Sequence, residues 1–268
     1  MPIDLSYKEV SPTRRVIDVR GNLKRARVFA DAFGYEKAAG VEGTVSAQAI
    51  LKNDEVQEVR NLSVSAPGLA LRGGTLGFTG EELSSGAFPD FQIGQSKGAI
   101  DFKILAGGAQ HITMDMDALD LRPFLEDDEE EKEPVYNDPP RIISIKAGQM
   151  RAADKSVMSG GKMYLDIDHQ GKFNQLEMDA IAGGGAVYLR YKPDESGKRV
   201  FRLEADDAGA TLEAFDLYDK IRGGKLVIYG EPIRGVVDRN LVGKAEITDF
   251  RVVKAPGLAK LLLSLIHI

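Results

Sequence analysis

Ala99 to Met116, AIDFKILAGGAQHITMDM, decides the fold class of this chain. Ile100, Phe102 and Ile104 alternate with Asp101 and Lys103. Beyond Ala106-Gly107-Gly108-Ala109, Ile112, Met114 and Met116 alternate with Thr113, Asp115 and Asp117. Successive strand side chains point to opposite faces. The stretch therefore reads as a hairpin with one apolar face and one polar face, the pattern of antiparallel sheets half in water.

The same period recurs along the chain. Met163, Leu165 and Ile167 alternate with Tyr164, Asp166 and Asp168; Val187, Leu189 and Tyr191 surround Arg190; Phe201, Leu203 and Ala205 alternate with Arg202, Glu204 and Asp206. Lys225 to Gly230 and Lys244 to Val253 repeat it near the C-terminal end. His169-Gln170-Gly171-Lys172 and Pro193 to Gly197 follow such runs and read as hairpin turns. Helices are expected to be few: Asp207 to Ile221, with Ala214, Leu217, Tyr218 and Ile221 near one face, a turn or two at Ala30 to Tyr35, and an apolar helix opened by Ala255-Pro256.

The 268 residues suffice for one large all-β domain or two smaller ones. A net charge of -6 argues against nucleic acid, whose phosphates need clustered Lys and Arg. The absence of cysteine excludes disulfides, thiol catalysis and Cys-ligated metal. No apolar run approaches the roughly 18 residues of a spanning helix.

The acidic run Glu126 to Glu133, followed by Pro134 and Pro139-Pro140, divides the chain. Residues 1–125 form a first β unit, 126–140 a linker or loop, and 141–262 a second unit. Each half runs strand, turn, strand and then a short segment, Ala118 to Leu125 or the helix containing Phe215 to Tyr218, which suggests repeated β units sharing one sheet. The last six residues, LSLIHI at 263–268, read as translation through a sequencing adapter, so the native chain is expected to differ there.

Candidate chemistry reads mostly as surface. Asp166, Asp168, Gly171 and Glu177 approximate a calcium loop, but Gln170 departs from the pattern and a strand precedes it instead of a helix. Asp115, Asp117 and Asp120, and Glu204, Asp206 and Asp207, alternate like a solvated sheet face or a helix cap. Neither His111 nor His169 has a nucleophile at useful spacing. Gly183-Gly184-Gly185 and Gly73-Gly74 lack the following helix of a phosphate loop and suit close strand packing or a bulge. Lys24, Arg25 and Arg27 could touch anionic headgroups or form a solvated edge. Catalytic residues, metal ligands and cofactors are not expected.

Val200 to Asp207 (VFRLEADD), Phe215 to Tyr218, Arg222 to Leu226 and above all Ile247 to Pro256 (ITDFRVVKAP) resemble the C-terminal part of AsmA-like proteins. Ala118 to Leu125 (ALDLRPFL) and Phe33 to Gly43 (FGYEKAAGVEG) look like elements of that family's preceding repeat. The resemblance implies a mainly β fold in which a long sheet curls into a groove. It further implies a periplasmic location with an inner-membrane tether, and a part in carrying phospholipid toward the outer membrane or in outer-membrane assembly.

An apolar sheet face must be covered by another sheet, by helices or by a ligand. In a curled, open sheet, Met114, Met116, Met163, Leu165, Ile167, Leu189 and Leu203 would line a trough for acyl chains; in a sandwich the same residues would be core. Two non-enzymatic functions follow: phospholipid transfer along the groove, or assembly through edge pairing with envelope proteins. A β-rich enzyme using surface carboxylates is a third reading.

Overall fold

The computed structural model describes residues 3–125, 138–154, 156–232 and 241–253. Strands account for 69% of the fold, which is one long curved sheet, not closed into a barrel, with two short α-helices. Fifteen strands lie side by side in chain order: β1 (Ile3–Ser11), β2 (Arg14–Asn22), β5 (Thr44–Lys52), β6 (Glu55–Ala66), β7 (Leu69–Thr79), β8 (Glu82–Ile93), β9 (Ser96–Ile104), β10 (Gln110–Asp120), β11 (Arg141–Arg151), β12 (Met158–Ile167), β13 (Phe173–Ala182), β14 (Gly185–Pro193), β15 (Arg199–Ala205), β16 (Ile221–Pro232) and β17 (Leu241–Val252). A separate small hairpin, β3 (Val28–Ala30) with β4 (Tyr35–Lys37), encloses a 3-10 turn at Asp31–Phe33.

Every neighbouring pair in the long sheet is antiparallel except one. The strands β10 and β11 run parallel, with Gln110 opposite Arg141 and Met114 opposite Ile145. The expectation of an antiparallel sheet therefore fails at this single joint, where residues 1–125 meet residues 141 onward. The chain leaves β10 at one rim of the sheet, called lower here, and enters β11 at the upper rim. The acidic run 126–133 lies outside the described residues, as do Ala255-Pro256 and 263–268.

Two glycines, one on each strand flanking β10, let β9 and β11 approach it at a shared irregularity. A Cβ on Gly98 would stand 2.4 Å from the Asp115 carbonyl oxygen, and one on Gly148 would stand 2.9 Å from that of Asp117. Here β9 and β10 shift register between Met116 and Ala118. Core residues pass from Met114 and Met116 to Leu119 and Leu121, and from Ile145 and Ala147 to Met150 and Ala152 in the partner strand. The bulge moves both strands' apolar positions by one residue.

Three elements seal the lower rim. The segment between β2 and β5 carries the β3–β4 hairpin, whose Phe33 ring lies 5.1 Å from Phe91 and 5.6 Å from Phe124. Phe124 belongs to the short helix α1 (Arg122–Leu125). Lys37, 2% exposed, ties the segment together by donating from Nζ to the carbonyls of Ala26, Ala38 and Val41 at 2.8, 3.1 and 3.0 Å. The third element is α2 (Ala208–Ala214), capped by an Asp207 carboxylate that accepts from the Ala210 N–H at 2.9 Å.

The helix expected over Asp207 to Ile221 thus stops at Ala214. Asp216 adopts a left-handed backbone conformation, φ 53°, which ends the helical run, and Ile221 opens β16. Gly183 and Gly184, with φ 59° and 89°, make the turn between β13 and β14. A Cβ on Gly183 would meet that of Ala210 at 2.4 Å, so the close packing expected of this triplet is against α2.

Candidate functional site

The paired registers trace a row of residues across the whole inner face, the face that carries the core. From the N-terminal edge it runs Tyr7, Ile17, Ala49, Val59, Leu76 and Gly86. It continues through Phe102, Ile112 and Ile143, crossing the parallel joint without a step. Leu165, Leu176, Tyr191 and Phe201 follow, and Gly230 and Gly243 end it. No member is charged. Strands about 4.8 Å apart place the ends of this upper row roughly 65 Å apart along the sheet.

A second apolar row lies two residues lower: Phe88, Ile100, Met114, Ile145 and Met163, then Met178, Leu189, Leu203, Ile228 and Ala245. Below it sit Met116 and Ala147 on one side and Val187, Ala205 and Leu226 on the other. Burial is graded along the strands. The lowest of these rows is sealed, with Val187 at 0% and Leu226 at 1% exposure. In the upper row every side chain beyond β1 is only half-buried.

The geometry is a trough with a packed floor and an open upper part. Of the seven residues expected to line it, all fall on this one face. Met114, Met116 and Leu203 belong to the buried floor, whereas Met163, Leu165, Ile167 and Leu189 stay half-open. The sequence reading did not name Phe102, Ile112, Tyr191 and Phe201 as lining although they stood in its alternating runs, and it passed over Ile143 and Leu176 altogether. Only the register reveals that these runs align into one row.

The outer face is charged and internally paired. Glu177 accepts from Lys192 Nζ at 2.9 Å, which holds its carboxyl below the usual range, and Arg190 bonds Asp179. Gln48 donates to Asp18 at 2.9 Å and Arg72 to Asp90 at 2.8 Å. Such exposed cross-strand pairs contribute little stability each, about 0–1 kcal/mol, but they keep this face in water.

The other candidates disperse. Asp168 caps its own turn by accepting from the Gln170 and Lys172 N–H groups at 2.8 and 2.9 Å, and Asp166 accepts from Asn174. The acids of the calcium-like stretch are thus spent on separate partners. Asp115 and Asp117 stand exposed, and Lys97 lies 3.6 Å from Asp117. Asp120 is 9% exposed and accepts from Arg122 at its backbone N–H, Nε and Nη2, at 3.1, 2.8 and 2.6 Å. Those bonds hold its carboxyl below the usual range. Lys24 pairs with Glu42 and Arg27 with Glu36, so two of the three basic residues near the hairpin are neutralised. A shallow polar cleft of about 100 Å³ beside the joint, lined by Gln95, Asp120, Gln149 and Arg151 among others, is separate from the apolar rows.

No family model matches the chain, and no curated protein or solved structure matches it either. Among the described residues no helix is long and apolar enough to cross a membrane.

Proposed function

We propose that this protein binds phospholipid acyl chains along the upper rows of the trough and passes them along the sheet without chemical change. The observation that carries this reading is the row of uncharged, half-buried side chains that runs from Ile17 on β2 to Phe201 on β15 with Gly86 as its one gap. Half-exposed apolar side chains arranged as a continuous stripe gain about 0.8 kcal/mol for each methylene they cover. Because the row has nearly uniform chemistry from Ile17 to Phe201, a chain sliding along it exchanges like contacts for like contacts. The packed floor below Met116, Val187 and Leu226 keeps the sheet folded whether or not the trough is filled.

The resemblance to AsmA-like proteins supports the same reading and adds its setting: the periplasm of a Gram-negative cell, an inner-membrane tether, and traffic toward the outer membrane. An assembly role is the alternative, and the N-terminal edge favours it specifically. Ile3, Leu5 and Tyr7 of β1 are 49, 67 and 59% exposed on an edge strand whose outer side has no partner among the described residues, a surface suited to strand addition by an envelope protein.

Photo-crosslinking separates the two. Benzophenone placed at Leu165, on the inner face, is expected to label co-purifying phospholipid, while the same group at Tyr164, on the outer face, is not. Equal labelling at both sites, or labelling of protein only, would count against the trough.

A further inference from the structure

The two edges of the long sheet differ in how their charges are satisfied. Strand β1 pairs with β2 without interruption from Ile3 to Glu9, and every residue from Ile3 to Val10 is exposed. Ile3, Leu5, Tyr7 and Glu9 belong to the inner face, because Leu5 and Tyr7 lie opposite Val19 and Ile17. Asp4, Ser6 and Lys8 belong to the outer face. Asp4 lies opposite Arg20 and Lys8 opposite Val16, yet neither has an ion-pair partner among the described residues. At the other edge Lys244 and Glu246 of β17 satisfy one another at 3.0 Å, and Asp249, at φ 57°, breaks the regular extension of that strand. A long, regular edge strand with no internal proline offers its free backbone N–H and C=O groups to a further strand.

We propose that this edge takes the same edge of a second copy of the chain, β1 against β1, antiparallel, with Ser6 on the twofold axis. A twofold pair whose inner faces share one side runs antiparallel, and odd residues then meet odd ones and even meet even. Few registers meet that condition. With Leu5 on the axis, Asp4 meets Ser6 and Lys8 meets no residue of the strand. With Tyr7 on the axis, Asp4 meets Val10 and Leu5 meets Glu9. With Ser6 on the axis, Asp4 of each copy meets Lys8 of the other, and Leu5 meets Tyr7. Only this register sets opposite charges face to face, and the symmetry does so twice. It also forms two aliphatic–aromatic cross-strand pairs on the inner face, from side chains that are exposed in the single copy. Each upper row, which ends at Tyr7, then runs into the second copy's Leu5 and Val19. Strand addition by an envelope protein is a different event, because here the occupant is the chain itself. The pairing joins two fifteen-strand sheets into one apolar face and leaves the trough of each copy unaltered.

Sedimentation velocity on the whole 268-residue chain at low ionic strength reads the association. Wild type is expected to dimerise reversibly at micromolar concentrations. Asp4→Lys sets like charges face to face at both symmetric positions and should weaken the dimer about thirtyfold, and Lys8→Asp should do the same. An equimolar mixture of the two variants should recover a heterodimer of wild-type strength, because every Lys then faces an Asp. Both positions are exposed, so circular dichroism should show wild-type β content in each variant. Glu246→Lys, at the opposite edge, should leave the association unchanged. A wild type that stays monomeric would overturn the proposal and leave this edge to an envelope protein. A dimer unaffected by Asp4→Lys, or weakened by Glu246→Lys instead, would overturn the choice of edge. Variants that fail to recover on mixing would overturn the register.

Discussion

Leu165→Asp separates a trough from a core most sharply. Leu165 sits mid-row between Ile143 and Leu176, half-buried, in the part of the face that no element of the described structure covers. Fully burying a leucine is worth about 1.5–3 kcal/mol, so losing a half-buried one costs about 1 kcal/mol, and the new carboxylate can stay hydrated at an open surface. The folded state should therefore lose only about 1–2 kcal/mol. A bound acyl chain would have to cover and desolvate that carboxylate, which costs at least about 3 kcal/mol and so weakens binding more than about 100-fold. Leu203→Asp is the matched control: at 5% exposure the carboxylate has no water to reach, and loss of more than about 4 kcal/mol is expected. Urea unfolding followed by circular dichroism gives the stabilities, and lipid extraction gives the occupancy. If Leu165→Asp unfolded the protein as severely as Leu203→Asp, the upper row would be core. If it stayed folded and kept wild-type lipid, the row would not be where lipid sits.

Asp120→Asn, which removes the charge on the carboxylate held by Arg122, should cost about 2–3 kcal/mol by urea unfolding. Because that carboxyl is held below its usual range, its contribution is present above the unfolded value near pH 4 and lost as pH falls through the lower folded value. Wild type should accordingly lose stability more steeply than the Asn variant as pH falls below about 4. Lys37→Met leaves three carbonyls without their shared donor, and should destabilise by about 2–4 kcal/mol. It should also speed proteolysis between Leu23 and Gly43, as limited digestion would read. Wild-type digestion rates in that variant would deny Lys37 its fastening role.

The strands were legible in the sequence because period-2 alternation is local. Ile112-Thr113-Met114-Asp115-Met116 carries its own two faces, and the hairpin turns at Gly107-Gly108 and Gly171 follow from residues that tolerate φ above zero. What stayed hidden depends on pairing between distant segments. Nothing in Arg141 to Ala147 says that it lies parallel to β10 instead of antiparallel to it. The one-residue bulge that replaces Met116 by Leu119 on the inner face comes from Gly98 and Gly148 meeting another strand's backbone. The division of the seven expected lining residues into floor and open wall was equally invisible. It depends on where α2 and the Phe33 hairpin pack, and those contacts reach across as many as 91 residues, as between Phe33 and Phe124.

The most direct measurement is lipid mass spectrometry on the chain purified from a Gram-negative host, compared with its Leu165→Asp variant. The account predicts phospholipid in near-stoichiometric amount on the wild type and its loss from a still-folded variant. A well-folded wild type carrying no lipid would contradict it, and would leave the apolar row as the inner layer of a scaffold waiting for a protein partner.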